Sequence, residues 1–536
     1  MKSLMNDTMG IIGIIGLAVV LTFSMAACSN ATGADTNNGG GGDITGEDQI
    51  ITMVMQNTDY MGIGLAGSGD ITIDWGDNSA VESYTIKYSE RWYEHNYTES
   101  STSTITITGK NIQDLSCGGG CLASLDVGAC KTLVRLDCNS NQLTSLDVSG
   151  LKALEELWCG YNNDLTDLHL DGCISLTEMD CSCSGLESLD VSGLKALESL
   201  QCNDNEVLAG LNVNGCTSLK NLYCYNNPLL AALDAGSQKA LEYLECCSNE
   251  TLTGLNVSGC TALKELNCND NQQLESLDVS NLKALESLSC SNNAALTGLN
   301  VNGCTSLTNL HCNYNPQLAG LDVGSQKALE YLECSNNEVL TGLNVNGCTS
   351  LTNLYCNDNS QLAALDVGSC TLLVWLECFE NQLTSLDVGG LKSLEHLWCS
   401  NNLVMTGLNV EGCTALTWLG FDNNQVTVMD VTSCTALEQF YSHNNKMQTI
   451  NAEGCAKLNY LGCDTSELTS INVNGCTALG QLYCQNNLLE QEALDTLFGM
   501  LPDRTGISKG TIQITNNPGA AACTKTIATG KGWTVQ

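Results

Sequence analysis

Leu154-Glu-Glu-Leu157-Trp-Cys159 is the stretch on which the reading of this chain turns. It returns as Leu197-Glu-Ser-Leu200-Gln-Cys202, as Leu285-Glu-Ser-Leu288-Ser-Cys290 and as Leu394-Glu-His-Leu397-Trp-Cys399. Aligned on its sixth residue, the hexad has eighteen copies between Cys117 and Cys484, separated by ten intervals of 22 residues and seven of 21. A period of about 20 held over that length specifies a solenoid, in which each coil buries its apolar face only against its neighbours.

Within the hexad, positions 4 and 6 point inward and positions 3, 5 and 7 outward, the alternation of a strand. Stacked coils should pair these strands into one parallel sheet, a rod or arc about 85 Å long at about 4.8 Å per coil. A second segment, L-x-x-L-D/N-V, also alternates and is expected as a short strand or extended run on the opposite wall. Each longer interval carries one extra residue after an Asn, as in Asn162-Asn-Asp-Leu165, so the insertion falls in a loop. That Asn column holds in fifteen of eighteen coils, with Gly120, Ser184 and Ser466 as exceptions. An amide both donates and accepts, so it can serve turn backbone groups that no sheet satisfies, and the column is read as structural. The block from Leu299 to Leu307 recurs almost verbatim from Leu343 to Leu351, a two-coil identity of 44 residues that points to internal duplication.

The full unit, L-x-x-L-x-C-x-x-N-x-L-x-x-L-x-V-x-x-C, is seen in Leu133, Leu136, Cys138, Asn141, Leu143, Leu146 and Val148. It resembles the leucine-rich repeat, with Cys at the third apolar site, over roughly residues 111–489. It looks most like the 21- to 22-residue repeats of bacterial surface lipoproteins from spirochaetes and Bacteroidetes. The resemblance implies a mainly β solenoid whose hexad strands line a concave, protein-binding face.

The flanks differ from the array. Lys2, the apolar run from Ile11 to Leu21 and Ser24-Met-Ala-Ala-Cys28 resemble a bacterial lipobox in a 1–28 signal peptide. Cys28 is then the acylated residue, and 29–49 a Gly/Asn-rich tether. The expected location is the bacterial cell surface, with the outer membrane reached through the N-terminal lipid alone, since no other segment has the 18 or so apolar residues of a span. Residues 50–110 do not repeat. Asp74-Trp-Gly-Asp77, Trp92-Tyr-Glu-His-Asn-Tyr97 and Thr104-Ile-Thr-Ile-Thr108 resemble a small polycystic-kidney-disease-type β-sandwich, which would cover the first coil's open end. Residues 490–536 read as a small α/β cap: helical spacing from Leu489 to Leu501 stops at Pro502, a strand follows at Thr511 to Thr515, and Trp533 is expected to pack inward.

The formal net charge is −39. Residues 111–489 hold 12 Lys and Arg against 42 Asp and Glu, which gives −30 and disfavours nucleic acid and anionic membrane surfaces as partners. Of 32 Cys, sixteen fill the hexad column and eleven the V-x-x-C column, leaving Cys28, Cys121, Cys183, Cys247 and Cys523. Both columns face inward, where Cys acts as a small hydrophobe. No clustered C-x-x-C pair supports zinc, and in-register neighbours have the wrong dihedral for an unstrained bridge, so mostly free thiols are expected.

The aromatic residues of the array fall on the hexad side alone. Position 5 gives Trp158, Tyr223, Tyr355, Trp398, Tyr441 and Tyr483; position 3 gives Tyr243, Tyr331, Trp375, Trp418 and Tyr460. The turn that follows gives Tyr161, Tyr225, Tyr314 and Phe379. These fifteen are the candidate binding residues, although β-propensity alone would also place rings on strands. The five His are scattered, and no phosphate loop, nucleophile elbow or metal-ligand motif is found, so neither catalysis nor a cofactor is expected. Three classes remain. A lipid-anchored adhesion protein would bind a host-matrix, host-cell or bacterial protein. A carbohydrate-binding surface protein would use the same rings. A structural surface-layer protein would use neither.

Overall fold

The computed structural model describes residues 48–536, which form one compact unit. The expected signal peptide, Cys28 and nearly all of the tether lie outside the described residues.

Position 4 of each hexad is buried, and eighteen hexad strands, from Ile112–Ser116 to Gln481–Tyr483, pair in parallel in one continuous sheet. Registration is residue for residue: Tyr331, Leu332 and Glu333 face Asn353, Leu354 and Tyr355, which face Trp375, Leu376 and Glu377. The L-D/N-V segments form the other wall, and here the sheet is broken. They pair by twos, as in Ser188–Asp190 with Gly210–Asn212, and once by threes near the C-terminal end. Five of the six two-stranded pairs hold an Asp whose carboxylate takes a bond from an Asn amide in the next coil, as Asp190 from Asn212 at 3.1 Å, Asp234 from Asn256 at 2.8 Å and Asp322 from Asn344 at 2.8 Å; the first pair sets His169 beside Asp147 instead. Asp366 is followed by Asp387, which has no amide to donate, and residues 364–366 form no strand. The two-coil repeat of the sequence is therefore a two-coil unit of hydrogen bonding.

The Asn column sits at the turn, and each of its amides ties the backbone of two coils. Asn293 donates from Nδ2 to the Cys290 carbonyl at 2.7 Å and accepts at Oδ1 from the Asn271 backbone N–H at 2.8 Å. Asn315 donates to the carbonyls of Cys312 and Cys290 and accepts from Asn293 N–H, so each amide serves its own coil and the one before. These side chains are fully buried.

All 31 cysteines among the described residues are free, and 27 of them are buried. The V-x-x-C column does more than fill space. Its thiols donate to the carbonyl of the Val or Ala column in the preceding coil, Cys216 to Val191 at 3.1 Å, Cys260 to Ala235 at 3.0 Å and Cys304 to Val279 at 3.1 Å. Gln238 and Gln326, which replace Cys in this column, make the same bond from Nε2, to Val213 at 2.7 Å and Val301 at 2.8 Å. Burial pushes these thiols up, Cys130 and Cys260 to about 12, which removes the reactive thiolate at neutral pH.

At the N-terminal end, β1 (Gln49–Gly67) and β4 (Arg91–Gly109) are long antiparallel strands with irregular register between Met55 and Tyr60. β2 (Gly69–Asp74) and β3 (Glu82–Ile86) extend the sheet from β4. The two halves of β1 separate the tasks. Thr52–Met55 pairs with β6 (Leu122–Asp126), the first L-D-V strand, and Gly64–Gly67 with β5 (Ile112–Ser116), the first hexad strand. One strand thus closes both walls of the first coil. Trp75 fills the space beneath, fully buried, with Nε1 donating to Glu82 at 3.1 Å.

The C-terminal segment holds a helix, α1 (Gln491–Met500), and a nineteenth coil that the count of eighteen omits. Gly510–Gln513 pairs in parallel with Gln481–Tyr483, and Asn517 donates to the Cys484 and Ile514 carbonyls as the Asn column does. The coil escaped notice because α1 and its loop stretch the interval to 30 residues and Ile514 replaces Cys, although Ile512-Gln-Ile514-Thr-Asn-Asn517 keeps the spacing. Trp533–Val535 adds a last parallel strand, with Trp533 buried. No helix among the described residues is long and apolar enough to cross a membrane.

Replacing Asn293 by Ala should strip the Asn271 N–H of its partner in a dry turn and leave the Cys290 carbonyl with the Asn315 amide as its side-chain donor. At about 1–3 kcal/mol for an orphaned group, a loss of about 1–3 kcal/mol is expected in urea unfolding, against a loss below about 0.5 kcal/mol for an exposed residue such as Asn302.

Candidate functional site

The hexad strands set the site. Positions 3 and 5 flank an inward Leu, so their side chains rise from the same face of the sheet in two columns, one residue per coil. The position-3 column runs Tyr331, Asn353, Trp375, His396, Trp418, Gln439, Tyr460. Beside it, position 5 runs Glu333, Tyr355, Glu377, Trp398, Gly420, Tyr441, Gly462. None of the fifteen sequence-predicted aromatics is in the core.

The structure joins nine of them by ring contacts. Tyr331 meets Tyr355 at 5.5 Å. A longer run begins at Trp375, whose ring stacks on His396 with centroids 3.7 Å apart and planes 7° from parallel. His396 stacks in turn on Trp418 at 4.3 Å, and Trp418 meets Tyr441 at 5.4 Å, followed by Tyr460 and Tyr483. Phe379 and Trp398 join from the side, Trp398 edge-on to Trp418. Trp158, Tyr161, Tyr223, Tyr225, Tyr243 and Tyr314 make no such ring contact among the described residues.

Glycine at position 5 makes the run possible. A Cβ at Gly420 would strike the Trp418 ring, and one at Gly462 would strike His443 and Tyr460. Trp418 and Tyr460 therefore lean across their own coils. Tyr161 and Tyr314 differ again. They stand at the turn position that is left-handed in every coil, with φ of 55° and 56°, where Asn is the common occupant. An L-residue there costs roughly 1–2 kcal/mol, yet both carry exposed rings, 58% and 57% accessible.

Reasoning by residue class passed over the groups between the rings. His396 shares its column with Trp375 and Trp418, and reading that column would have found it. Its Nε2 is buried without a hydrogen-bond partner, and burial holds its pKa down at about 4. Glu377 accepts from Trp375 Nε1 at 2.8 Å; burial raises its pKa, and neighbouring Glu333 adds to that. Glu333 is lowered instead, because the bonds from His311 Nδ1, at 3.0 Å, and from Tyr331 Oη outweigh its burial. Farther on, His443 Nδ1 meets Asp464, while its backbone N–H donates to Asp422 at 2.7 Å. Burial raises the Asp422 pKa. The hydrogen bonds of both His311 and His443 rings thus go to carboxylates, and no group of three or more His, Cys, Asp or Glu among the described residues is placed to hold a metal ion.

The face is also one-signed. From Ser199 to Gln485, hexad positions 3, 5 and 7 carry six carboxylates and no Lys or Arg. Lys220 and Lys264 stand one residue outside, at position 2, where Lys220 meets Glu198 at 2.7 Å and Lys264 meets Glu242 at 2.5 Å, and Lys446 meets Glu467 past the turn at 3.4 Å.

Replacing His396 by Phe keeps a ring in the stack and removes the titration. Between pH 6.5 and 4 the unfolded chain takes up a proton that folded His396 refuses, so stability falls as pH falls through that window. The variant should lose less Tm than the parent between pH 7 and pH 4.5, as measured by circular dichroism.

A family model for leucine-rich repeats, in two copies, matches residues 131–172. No curated protein matches the sequence. Among solved structures, the chain is similar to the functional domain of InlJ from Listeria monocytogenes, which includes a cysteine ladder. Identity there is 25%, with 78% of this chain and 77% of that one covered and a TM-score of 0.45. It is similar also to YopM from Yersinia enterocolitica, at 21% identity over 76% and 88% of the two chains and a TM-score of 0.37. A third is the ectodomain of the Arabidopsis receptor kinase HAESA in complex with a peptide hormone, at 16% identity over 76% and 85% and a TM-score of 0.32. The repeat unit, its continuous parallel sheet and its Asn-tied turns make the fold a leucine-rich repeat solenoid.

Proposed function

We propose that this protein binds another protein on the hexad face, centred on the ring run of Trp375, Trp398 and Trp418, and does so at a bacterial cell surface to which lipid on Cys28 anchors it. One observation carries the binding reading: the largest contiguous set of rings lies outside the core, on a rigid sheet, where Trp and Tyr commonly dominate binding energy. β-propensity accounts for rings on strands, but not for Tyr161 and Tyr314 at left-handed turns. The lipobox-like Ser24-Met-Ala-Ala-Cys28 supports the anchor, and a polycystic-kidney-disease-like reading of 50–110 would make that module the spacer and cap between lipid and array. Partners in this reading are host matrix, host cells or other bacteria.

A glycan partner is less well served. Sugars bind aromatic rings by lying flat on their faces, and both faces of His396 are taken by Trp375 and Trp418.

A photo-reactive residue placed at Trp398 should capture a protein from host or bacterial surface extracts, and one at Asp278 on the opposite wall should not. With the captured protein purified, joint replacement of Trp375, Trp398 and Trp418 by Ala should weaken binding at least tenfold, since a single hot-spot aromatic is often worth about 2 kcal/mol. The stacked rings steady one another by about 0.5–1.5 kcal/mol per pair, so the variant should melt earlier yet remain folded. Trp398→Ala alone, which loses only the contacts with Phe379 and Trp418, should weaken binding while melting closer to the parent than the triple variant does. Capture from both walls alike, or undiminished binding by folded variants, would refute the reading.

The anchor has its own test. Cys28→Ala should abolish metabolic labelling with palmitate and move the protein out of the detergent phase, because each buried CH₂ of an acyl chain contributes about 0.8 kcal/mol. Continued partitioning into detergent would contradict it.

A further inference from the structure

The position-5 column between coils 11 and 14 alternates carboxylate and ring: Glu333, Tyr355, Glu377, Trp398. Strands about 4.8 Å apart put the two carboxylates about 9.6 Å apart at the backbone, with the Tyr355 ring between them. Tyr331 and Trp375 stand on either side in the adjoining column and point their donors at Glu333 and Glu377. His311 and Asn313 complete the set on Glu333, both within 3.0 Å. Around Glu377 no positively charged side chain is present on this face: the nearest hexad-face position of that kind is Arg135, eleven coils away and paired with Glu156 at 3.3 Å.

Building on the protein-binding reading above, we infer that this part of the sheet takes a basic segment of the partner, an extended stretch whose Lys or Arg side chain lies over Tyr355 between Glu333 and Glu377. Charge complementarity argues for it. A half-buried carboxylate without a counter-ion is improved by an arriving cation, and an aromatic ring beside it adds attraction through its π face. The same charges repel an acidic segment and give a neutral apolar one nothing for Glu377. Next in line, the rings of Trp398 and Trp418 offer apolar contact to whatever flanks the basic residue. An extended chain running along the solenoid advances about 3.3 Å per residue against about 4.8 Å per coil, so basic residues about three apart in the partner would meet Glu333 and Glu377 in turn.

The test uses the full-length chain and three fluorescein-labelled twelve-residue peptides, (Gly-Ser-Lys)₄, (Gly-Ser-Gln)₄ and (Gly-Ser-Glu)₄, read by fluorescence polarisation at 0.15 M salt. Only the Lys peptide should bind. Glu333→Gln with Glu377→Gln should weaken it at least tenfold, about 1.4 kcal/mol, and Tyr355→Leu at least threefold. Asp190→Asn with Asp278→Asn, which removes the same charge from the opposite wall, should change it less than twofold. Equal losses from both double variants would mean that the overall field attracts the peptide, and the inference falls. It falls also if the Lys peptide fails to bind, or if it binds Glu333→Gln/Glu377→Gln as well as the parent. Melting curves establish that each variant is folded; should the Glu pair fail to fold, Tyr355→Leu decides in the same way. Selective capture at Trp398 alongside failure of the Lys peptide would leave the protein-binding reading standing without its basic partner. Loss of both would remove both.

Discussion

A buried side-chain amide holds this solenoid together. Each coil must turn, and a turn in a stacked array has neighbours on both sides and no water, so its backbone groups need partners from within. The Asn column answers with a side chain that donates twice and accepts once. Because the Nδ2 of Asn315 reaches its own coil and the preceding one while its Oδ1 takes the N–H of Asn293, the bonds run on as a chain from coil to coil. Leucines supply the apolar driving force, but they are tolerant of small slips; the amides fix each coil against the next by one register. The aromatic columns on the hexad face inherit that register, and rings can stack at 3.7 Å only where backbones repeat faithfully.

The two walls are then held differently. The hexad sheet is unbroken from the N-terminal module to the last strand, whereas the L-D/N-V wall comes in pairs. Like charges at coil spacing would repel, and from Asp190 to Asn344 alternation of Asp with Asn replaces that repulsion by a hydrogen bond. The second thiol column belongs to the same economy of polar groups: Cys and Gln share a position because both donate to one carbonyl, a likeness invisible to a scale of hydrophobicity.

Much of this was legible in the sequence because a solenoid repeats its own experiment. Eighteen alignments of the hexad distinguish inward from outward positions, and the inward Leu, the structural Asn and the outward aromatics all stand where periodicity puts them. What failed to show was set by contacts across coils. The nineteenth coil is hidden by an inserted helix. His396 reads as a scattered histidine until Trp375 and Trp418, 21 and 22 residues away, are seen to enclose it. Gly420 and Gly462 look like gaps in an aromatic column, and they are the spaces into which the neighbouring rings lean. The rings themselves were expected to be exposed, and most are half-buried against one another, since a run of aromatics at coil spacing finds its nearest partners within the sheet. The bent strand β1, serving both walls at once, has no periodic signature at all.

The pairing of the L-D/N-V wall bears on how such a gene can lengthen or shorten. Unequal crossing-over between copies can add or delete any whole number of coils and keep the hexad sheet intact. In the alternating stretch from Asp190 to Asn344, only exchanges of an even number keep each Asp beside its Asn. The odd coil at Asp366, which forms no strand on this wall, is the scar that a single-coil event would leave. Within that stretch the coils that keep the wall's hydrogen bonds whole come two at a time, at a spacing of 44 residues from Asp190 to Asp234, Asp278 and Asp322.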